Sequence, residues 1–291
     1  MKVSICIPAY KQLQFLKRCL DSILEQEFTD YEIIITDDSP DDALRKLAET
    51  YNDKRICYYK NEKPLGSPLN WNEGIRKAKG EYIKILHHDD WLASPQSLGE
   101  YVALLDNNPD ADIAFSGSCD IKGKAVYKKH IAKDSFLQEL KTRPETLYMG
   151  NRLGAPSVCI FRNHKNFFFD PNLIWLVDID FYIRVVSESK GFAYSRKTLV
   201  YIGISEHQIT RICLTDTTIR VKENIYLFNK FGLGNKSSSY RNTLIRTLGR
   251  NKIFSDKSLN KIIPDAGFQF SRKDSLIAYY YYIKKKIRSL F

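Results

Sequence analysis

The amino-acid sequence predicts an α/β fold, a mostly parallel central sheet with helices on both faces, followed by a basic helical C-terminal region. Two observations carry that prediction. Through the first 115 residues, apolar β-branched runs alternate with segments of helical periodicity. Strand and helix in alternation call for parallel pairing through right-handed crossovers. Beyond residue 216 the strand-like runs stop and the pattern turns helical.

Taken in order, VSICIPAY (3–10) reads as the first strand. KQLQFLKRCLDSILEQ (11–26) then places Leu13, Leu16, Leu20, Ile23 and Leu24 on one helical face. YEIIITDD (31–38) is the second strand, and PDDALRKLAETYND (40–53) repeats the helical spacing through Leu44, Leu47, Ala48 and Tyr51. RICYYKNE (55–62) is a third strand, PLNWNEGIRKAKG (68–80) a short helix closed by Gly80, and EYIKILHHDD (81–90) a fourth strand. In SPQSLGEYVALLDNNPD (94–110), Ser94 is the expected N-cap and Pro95 the expected first helical residue. ADIAFSGSCDI (111–121) is a fifth strand, and residues 116–155 otherwise read as a loop-rich connection. SVCIFR (157–162) and KTLVYIGIS (197–205) add strands. Between them WLVDIDFYIRVVSES (175–189) is an amphipathic helix with Asp178 and Asp180 near its N-terminal end, where the helix dipole favours a carboxylate.

Composition sets further bounds. The chain has 291 residues, 43% of them hydrophobic and 27% charged, which suits one large domain with an appendage. No apolar run reaches the roughly 18 residues of a spanning helix. The opening MKVSICIPAY runs into a strand pattern rather than a signal-peptide layout, so the expected location is the cytoplasm. Six scattered cysteines without a C-x-x-C pair argue against a zinc cluster or a disulfide framework. The net charge of +11 is uneven, because residues 217–291 hold 16 Lys and Arg against 4 Asp and Glu. This divides the chain into a near-neutral domain, residues 1–215, and a basic helical region, residues 216–291.

In open parallel sheets, ligands bind beyond the carboxyl ends of the strands. Those ends carry Pro8-Ala9-Tyr10, Asp37-Asp38-Ser39-Pro40 and His87-His88-Asp89-Asp90. Neither G-x-G-x-x-G nor G-x-x-x-x-G-K-[ST] occurs, so a phosphate group lacks the usual glycine cradle. Adjacent like charges at Asp89-Asp90 favour a cation, and Mg²⁺ or Mn²⁺ bound there would leave positions open for diphosphate oxygens. Solvated strand ends are the plain alternative for both acidic pairs.

The ordered set VSICIPAY, YEIIITDDS, NWNEGIRKAKGEYIKILHHDDW, SVCIFR, VDIDFYIRV and SEHQIT resembles the family-2 nucleotide-sugar glycosyltransferases of the GT-A fold, over roughly residues 1–212. The resemblance implies an inverting, metal-dependent transfer of a sugar from a nucleotide-sugar donor, UDP-linked by preference. The hydroxyl acceptor would be a glycan or lipid-linked oligosaccharide, as in bacterial surface-polysaccharide assembly. It places Pro8, Ala9, Tyr10, Asp38 and nearby Asp37 at the nucleotide. The Asp-x-Asp-type motif falls on His88-Asp89-Asp90, with Asp89 toward ribose or metal and Asp90 as metal ligand. Asp178 takes the place of the catalytic base, and His207 that of a late histidine near the diphosphate or metal. Two positions depart from the family pattern: His87 stands where an acid is common, and Val177 replaces the Glu of a Glu-Asp pair, which leaves Asp180 as a competing base.

The C-terminal LIAYYYYI followed by KKKIR suits the headgroup region of an anionic membrane, so the expected placement is peripheral at the inner face of the cell membrane. A helix docked on the domain with solvated lysines is the alternative. Two other functions fit parts of the pattern. A sugar-phosphate nucleotidyltransferase would need a glycine- and lysine-rich loop where PAYKQLQ stands. A nucleic-acid-binding protein would use the basic tail and leave the acidic pairs unexplained, so no nucleic-acid partner is expected.

Overall fold

The computed structural model describes residues 1–123, 125–164, 167–205, 213 and 215–288. They form two compact units. The first comprises Met1–Leu147, Asn151–Asn172 and Val177–Glu206, and the second comprises Tyr148–Gly150, Leu173–Leu176 and His207–Phe291.

The first unit is built on one sheet. Strands β1 (Val3–Ala9), β2 (Tyr31–Asp37), β3 (Ile56–Lys60) and β4 (Tyr82–Ile85) are mutually parallel in the order β3-β2-β1-β4. Helices α1 (Leu13–Leu24), α2 (Ala43–Thr50) and α3 (Leu69–Lys77) are their crossovers. Every residue of β1 and β2 is buried, the pattern of strands covered on both faces. Ile5, Ile7, Ile33 and Ile35 have no solvent exposure, and each contributes about 1.5–3 kcal/mol by burial. Register gathers the site: Ala9 lies opposite Asp37, Cys6 lies opposite Ile85, and the Leu86 N–H continues the ladder to the Cys6 carbonyl at 3.0 Å. The carboxyl ends of β1, β2 and β4 therefore open at one edge.

Several elements differ from expectation. The helix after Pro95 is α4 (Ser97–Asp106), so Ser94 and Pro95 precede it, and the Ser97 hydroxyl accepts the Ser94 N–H at 3.0 Å. Leu13 lies 37% exposed at the start of α1, whose buried face is Leu16, Cys19, Leu20 and Ile23. Residues 116–155 are more ordered than a loop-rich connection. They hold the rest of β6 (Ala111–Lys122), the edge strand β7 (Ala125–His130) and α5 (Asp134–Thr142). The histidine–aspartate segment is a loop between β4 and the two-residue strand β5 (Trp91–Leu92), because β4 stops at Ile85.

The remaining strands, β8 (Cys159–Arg162) and β9 (Gly191–Gly203), complete nine strands among the described residues. Antiparallel pairs join β8 to β4 and β6, while β6 and β9 run parallel. Helix α6 (Val177–Glu188) packs through Phe181, which stacks on Phe169 at 4.2 Å, and through Tyr182, which meets Phe115 edge-on at 5.0 Å.

The second unit is helical, with helices Thr217–Lys230, Ser238–Arg250, Asp256–Asn260 and Arg272–Arg288. Asp216 caps the first, accepting the Thr218 and Ile219 N–H groups at 2.7 and 3.1 Å. Glu223 accepts the backbone N–H groups of Ile174, Trp175 and Leu176. The last helix crosses Ser238–Arg250 at Gly249, where an added Cβ would lie 2.1 Å from the Ala278 carbonyl.

Candidate active site

The loop after β4 brings three possible ligands together. His87, Asp89 and Asp90 each offer an atom, all within 4.8 Å of one another. Asp90 is only 2% exposed, and its Oδ1 accepts the Gly203 N–H from the end of β9 at 3.0 Å. Gly203 is required there, since a Cβ would lie 2.2 Å from the Asp89 carbonyl oxygen. Burial, reinforced by Asp89, pushes the Asp90 carboxyl well above its usual range. Burial also lowers His87 to about 4, so its imidazole is neutral near pH 7. The enclosed His87 Nε2 has no hydrogen-bond partner.

These features fit a divalent cation. Opposite ligands of a six-coordinate ion stand about 4.2 Å apart at about 2.1 Å each, which the loop approaches. A neutral imidazole with an unpartnered nitrogen supplies a lone pair, and two crowded carboxylates supply charge. His87, which the sequence offered only as a departure from an acidic position, thus joins Asp89 and Asp90, whereas His88 turns away to the Pro8 carbonyl at 3.2 Å. His207 lies outside the described residues.

Arg18 of α1 secures the loop from beneath. Its guanidinium donates to the Asp89 carbonyl at 3.0 Å and lies 3.5 Å from the Trp91 ring centre. Trp91 also packs against Tyr201, and Trp71 sits between His87 and Phe169, so both rings brace the site.

Beside this loop are the residues expected at the nucleotide. The chain reverses sharply after Tyr10, with Lys11 and Gln12 at φ of 54° and 58°, and the Lys11 N–H donates to the Ser39 hydroxyl at 2.6 Å. Such left-handed non-glycine residues cluster at functional sites. Tyr10 is exposed, while Pro8 and Ala9 are buried in β1. Asp37 has no exposure; it accepts the Ser39 N–H and the Tyr58 hydroxyl, with Lys60 Nζ 3.6 Å away. Asp38 accepts the Asn61 amide at 2.7 Å and the Leu65 and Gly66 N–H groups at 3.0 and 2.8 Å. It thereby ties the 61–66 loop to the end of β2.

The two acids of α6 have different surroundings. Asp178, partly exposed, accepts the Asn151 amide at 2.6 Å and the Ile179 N–H at 2.8 Å. Asp180 is fully buried and pairs with Arg184 at 2.8 Å, one turn on. Asn151 is itself fixed, its amide oxygen accepting the Leu153 and Gly154 N–H groups at 3.0 and 2.9 Å.

A sequence profile described as "Glycosyl transferase family 2" matches residues 4–168, more than half of the chain. The chain belongs to this family. Among its relatives in the family, an uncharacterized glycosyltransferase of Rickettsia typhi is 29% identical over 219 residues, covering 73% of this chain and 67% of that protein. Another uncharacterized glycosyltransferase, from Methanocaldococcus jannaschii, is 30% identical over 204 residues, 65% of this chain and 66% of its own length. In fold, this family-2 glycosyltransferase is similar to residues 1–349 of S. aureus TarS in complex with UDP-GlcNAc, with a TM-score of 0.63, 17% identity, and coverage of 98% of this chain and 92% of that fragment. It is also similar to the mannosyltransferase PcManGT from Pyrobaculum calidifontis in complex with GDP-Man and Mn²⁺, with a TM-score of 0.59, 14% identity, and coverage of 100% and 81%. The expected GT-A architecture and glycosyltransferase class thus hold.

Proposed function

We propose that this glycosyltransferase moves a sugar from a nucleotide-sugar donor, UDP-linked by preference, to a hydroxyl of a glycan or lipid-linked acceptor, with inversion. The observation that carries the reading is the corner formed by His87, Asp89 and Asp90 at the carboxyl edge of the sheet, beside the ends of β1 and β2. The donor complexes of TarS and PcManGT support a nucleotide-sugar donor.

His87, Asp89 and Asp90 would hold Mn²⁺ or Mg²⁺, and when bound the ion supplies Lewis-acid neutralisation of charge on a diphosphate. Asp38 and the loop it organises, with the exposed Tyr10, line the nucleotide end, while Asp37 holds Tyr58 and Lys60 inward. Asp178 is the proposed base. It takes the proton of the acceptor hydroxyl as that oxygen attacks the anomeric carbon, a contribution of typically about 10²–10⁴-fold. The bond from that carbon to the nucleoside diphosphate breaks, and the diphosphate leaves with the electron pair. The buried Asp180–Arg184 pair favours Asp178 over Asp180, because an enclosed, paired carboxylate cannot reach an acceptor. His207 remains the proposed late histidine near the diphosphate.

The helix Arg272–Arg288 supports attachment to an anionic membrane surface. Leu276 and Tyr280 are 73% and 56% exposed, Ile287 is exposed and Ile283 half-buried, on the side opposite the buried Asp274 and Ala278. Lys273, Lys284 and Lys286 flank that stripe. Among the described residues no helix is long and apolar enough to cross a membrane. We place the enzyme at the inner face of the cell membrane in surface-polysaccharide assembly, with residues 216–291 as the attaching region.

A thermal-shift panel of nucleoside diphosphates and nucleotide sugars, with and without Mn²⁺, tests the reading. A ligand at about 100 times its Kd adds about 2.7 kcal/mol of stability. A metal-enhanced shift with one nucleotide class is expected, and no shift with any would overturn the donor assignment.

A further inference from the structure

Strand β4 buries a lysine for which the proposed chemistry has no use. Lys84 has no solvent exposure, and its Nζ donates to the carbonyls of Ile85 at 3.1 Å, Ser157, and Cys159 at 3.2 Å, lying 4.4 Å from the Tyr101 ring centre. Enclosing an ammonium costs several kcal/mol before its hydrogen bonds are counted, and an apolar side chain would fill the same space. What the ammonium does that an apolar chain cannot is tie down residues 157–159, where a short turn enters β8.

Ser157 is the link from that anchor to the acidic corner. Its carbonyl receives Lys84, while its hydroxyl accepts the His87 N–H at 3.0 Å and neighbours the Asp90 carboxyl, whose charged form it favours. Ser157 thus joins two of the three candidate ligands across about 70 residues of sequence. We propose that Lys84 is a positioning residue of the acidic corner: its ammonium anchors Ser157, whose hydroxyl holds His87 and Asp90 in the arrangement that accepts a divalent cation. The inference rests on the metal-binding reading above. Lys84 touches neither donor nor acceptor and acts through Ser157.

The test is Mn²⁺ binding to the full chain with UDP present, followed by electron paramagnetic resonance of the free ion. The proteins are the wild type, Lys84→Met, Ser157→Ala and the double variant. Removal of a positive charge near a cation site would by itself tighten Mn²⁺, so weaker binding reports lost positioning rather than lost charge. Each single variant is expected to weaken Mn²⁺ about 10–100-fold, the range for residues that orient ligands. The double variant should bind no worse than the weaker single one, since both changes break one chain of contacts. Equal or tighter binding by folded Lys84→Met, with only its melting temperature lowered, would show a purely structural lysine and overturn the inference. If Lys84→Met does not fold, Ser157→Ala decides, because it leaves the lysine and its carbonyl partners in place; undiminished affinity there overturns it equally. A wild type that binds no Mn²⁺ removes the metal reading itself, an outcome distinct from wild-type binding with unaffected variants.

Discussion

Replacing Asp178 and Asp180 separately by Asn separates catalysis from folding. Asp178 receives the Asn151 amide and the Ile179 N–H on different oxygens, and Asn151 is locked by the Leu153 and Gly154 N–H groups it accepts. An Asn at 178 keeps one acceptor and turns an N–H₂ toward the other donor. One charge-assisted bond is lost, worth about 1.5–3 kcal/mol, and partial exposure lets water recover some of it, leaving about 1 kcal/mol. The melting temperature should then fall by about 2–4 °C. Loss of a general base, in contrast, slows transfer about 10²–10⁴-fold, or about 3–5 kcal/mol in barrier height. Asp180→Asn should reverse the pattern. Breaking a buried pair costs about 3–5 kcal/mol, and the lower end applies because Arg184 keeps some exposure and one acceptor. Folded Asp180→Asn should turn over within a few-fold of wild type. Phosphatase-coupled release of nucleoside diphosphate, with the donor found by thermal shift, gives kcat beside calorimetric melting. Near-normal turnover by Asp178→Asn, or an equal loss by well-folded Asp180→Asn, would refute the assignment.

Three further outcomes follow from particular contacts. Gly203→Ala should push the Asp89–Asp90 loop aside, because its Cβ would lie 2.2 Å from a backbone oxygen, and should abolish the Mn²⁺-dependent thermal shift; an unchanged shift would contradict the close approach. Lys84 is lowered to about 8 by burial, so between pH 8 and about 10.5 the unfolded chain holds the proton that the folded chain has released. Folding stability from this group therefore rises with pH across that window, by up to about 3 kcal/mol. Denaturant titrations should show wild type gaining stability relative to Lys84→Met from pH 8 to 10, and parallel curves would contradict it. Flotation with phosphatidylglycerol vesicles should recover the full chain, and Leu276→Glu with Tyr280→Glu should release it; equal flotation of the variant would remove the helix Arg272–Arg288 from membrane attachment.

How much of this could be read in the sequence depends on where the burial lies. Strands β1, β2 and β4 were legible because their runs are mostly apolar and buried throughout, and the doubly covered centre of a parallel sheet leaves that mark. Strand β7 was not, since AVYKKH lies on an exposed edge and carries no burial pattern. The α4 start was misplaced because Ser94 and Pro95 meet a helix-start rule locally, while the Ser97 hydroxyl satisfies the Ser94 N–H just outside the helix. At the site, Asp89 and Asp90 stood out as adjacent charges after an apolar run. Gly203 and Ser157 did not, because they reach Asp90 and His87 from 113 and 70 residues away. Arg18 was hidden within an ordinary amphipathic helix. The ambiguity between Asp178 and Asp180 turned on a partner one turn along, Arg184, whose spacing from Asp180 is visible in the sequence but whose burial is not.

The most direct test is anomalous diffraction at the manganese edge from crystals soaked with Mn²⁺ and UDP. The account predicts a peak within coordination distance of both the Asp90 carboxylate and His87 Nε2, in contact with the diphosphate. UDP bound at this edge without a manganese peak at that corner, together with transfer undiminished by chelators, would contradict it.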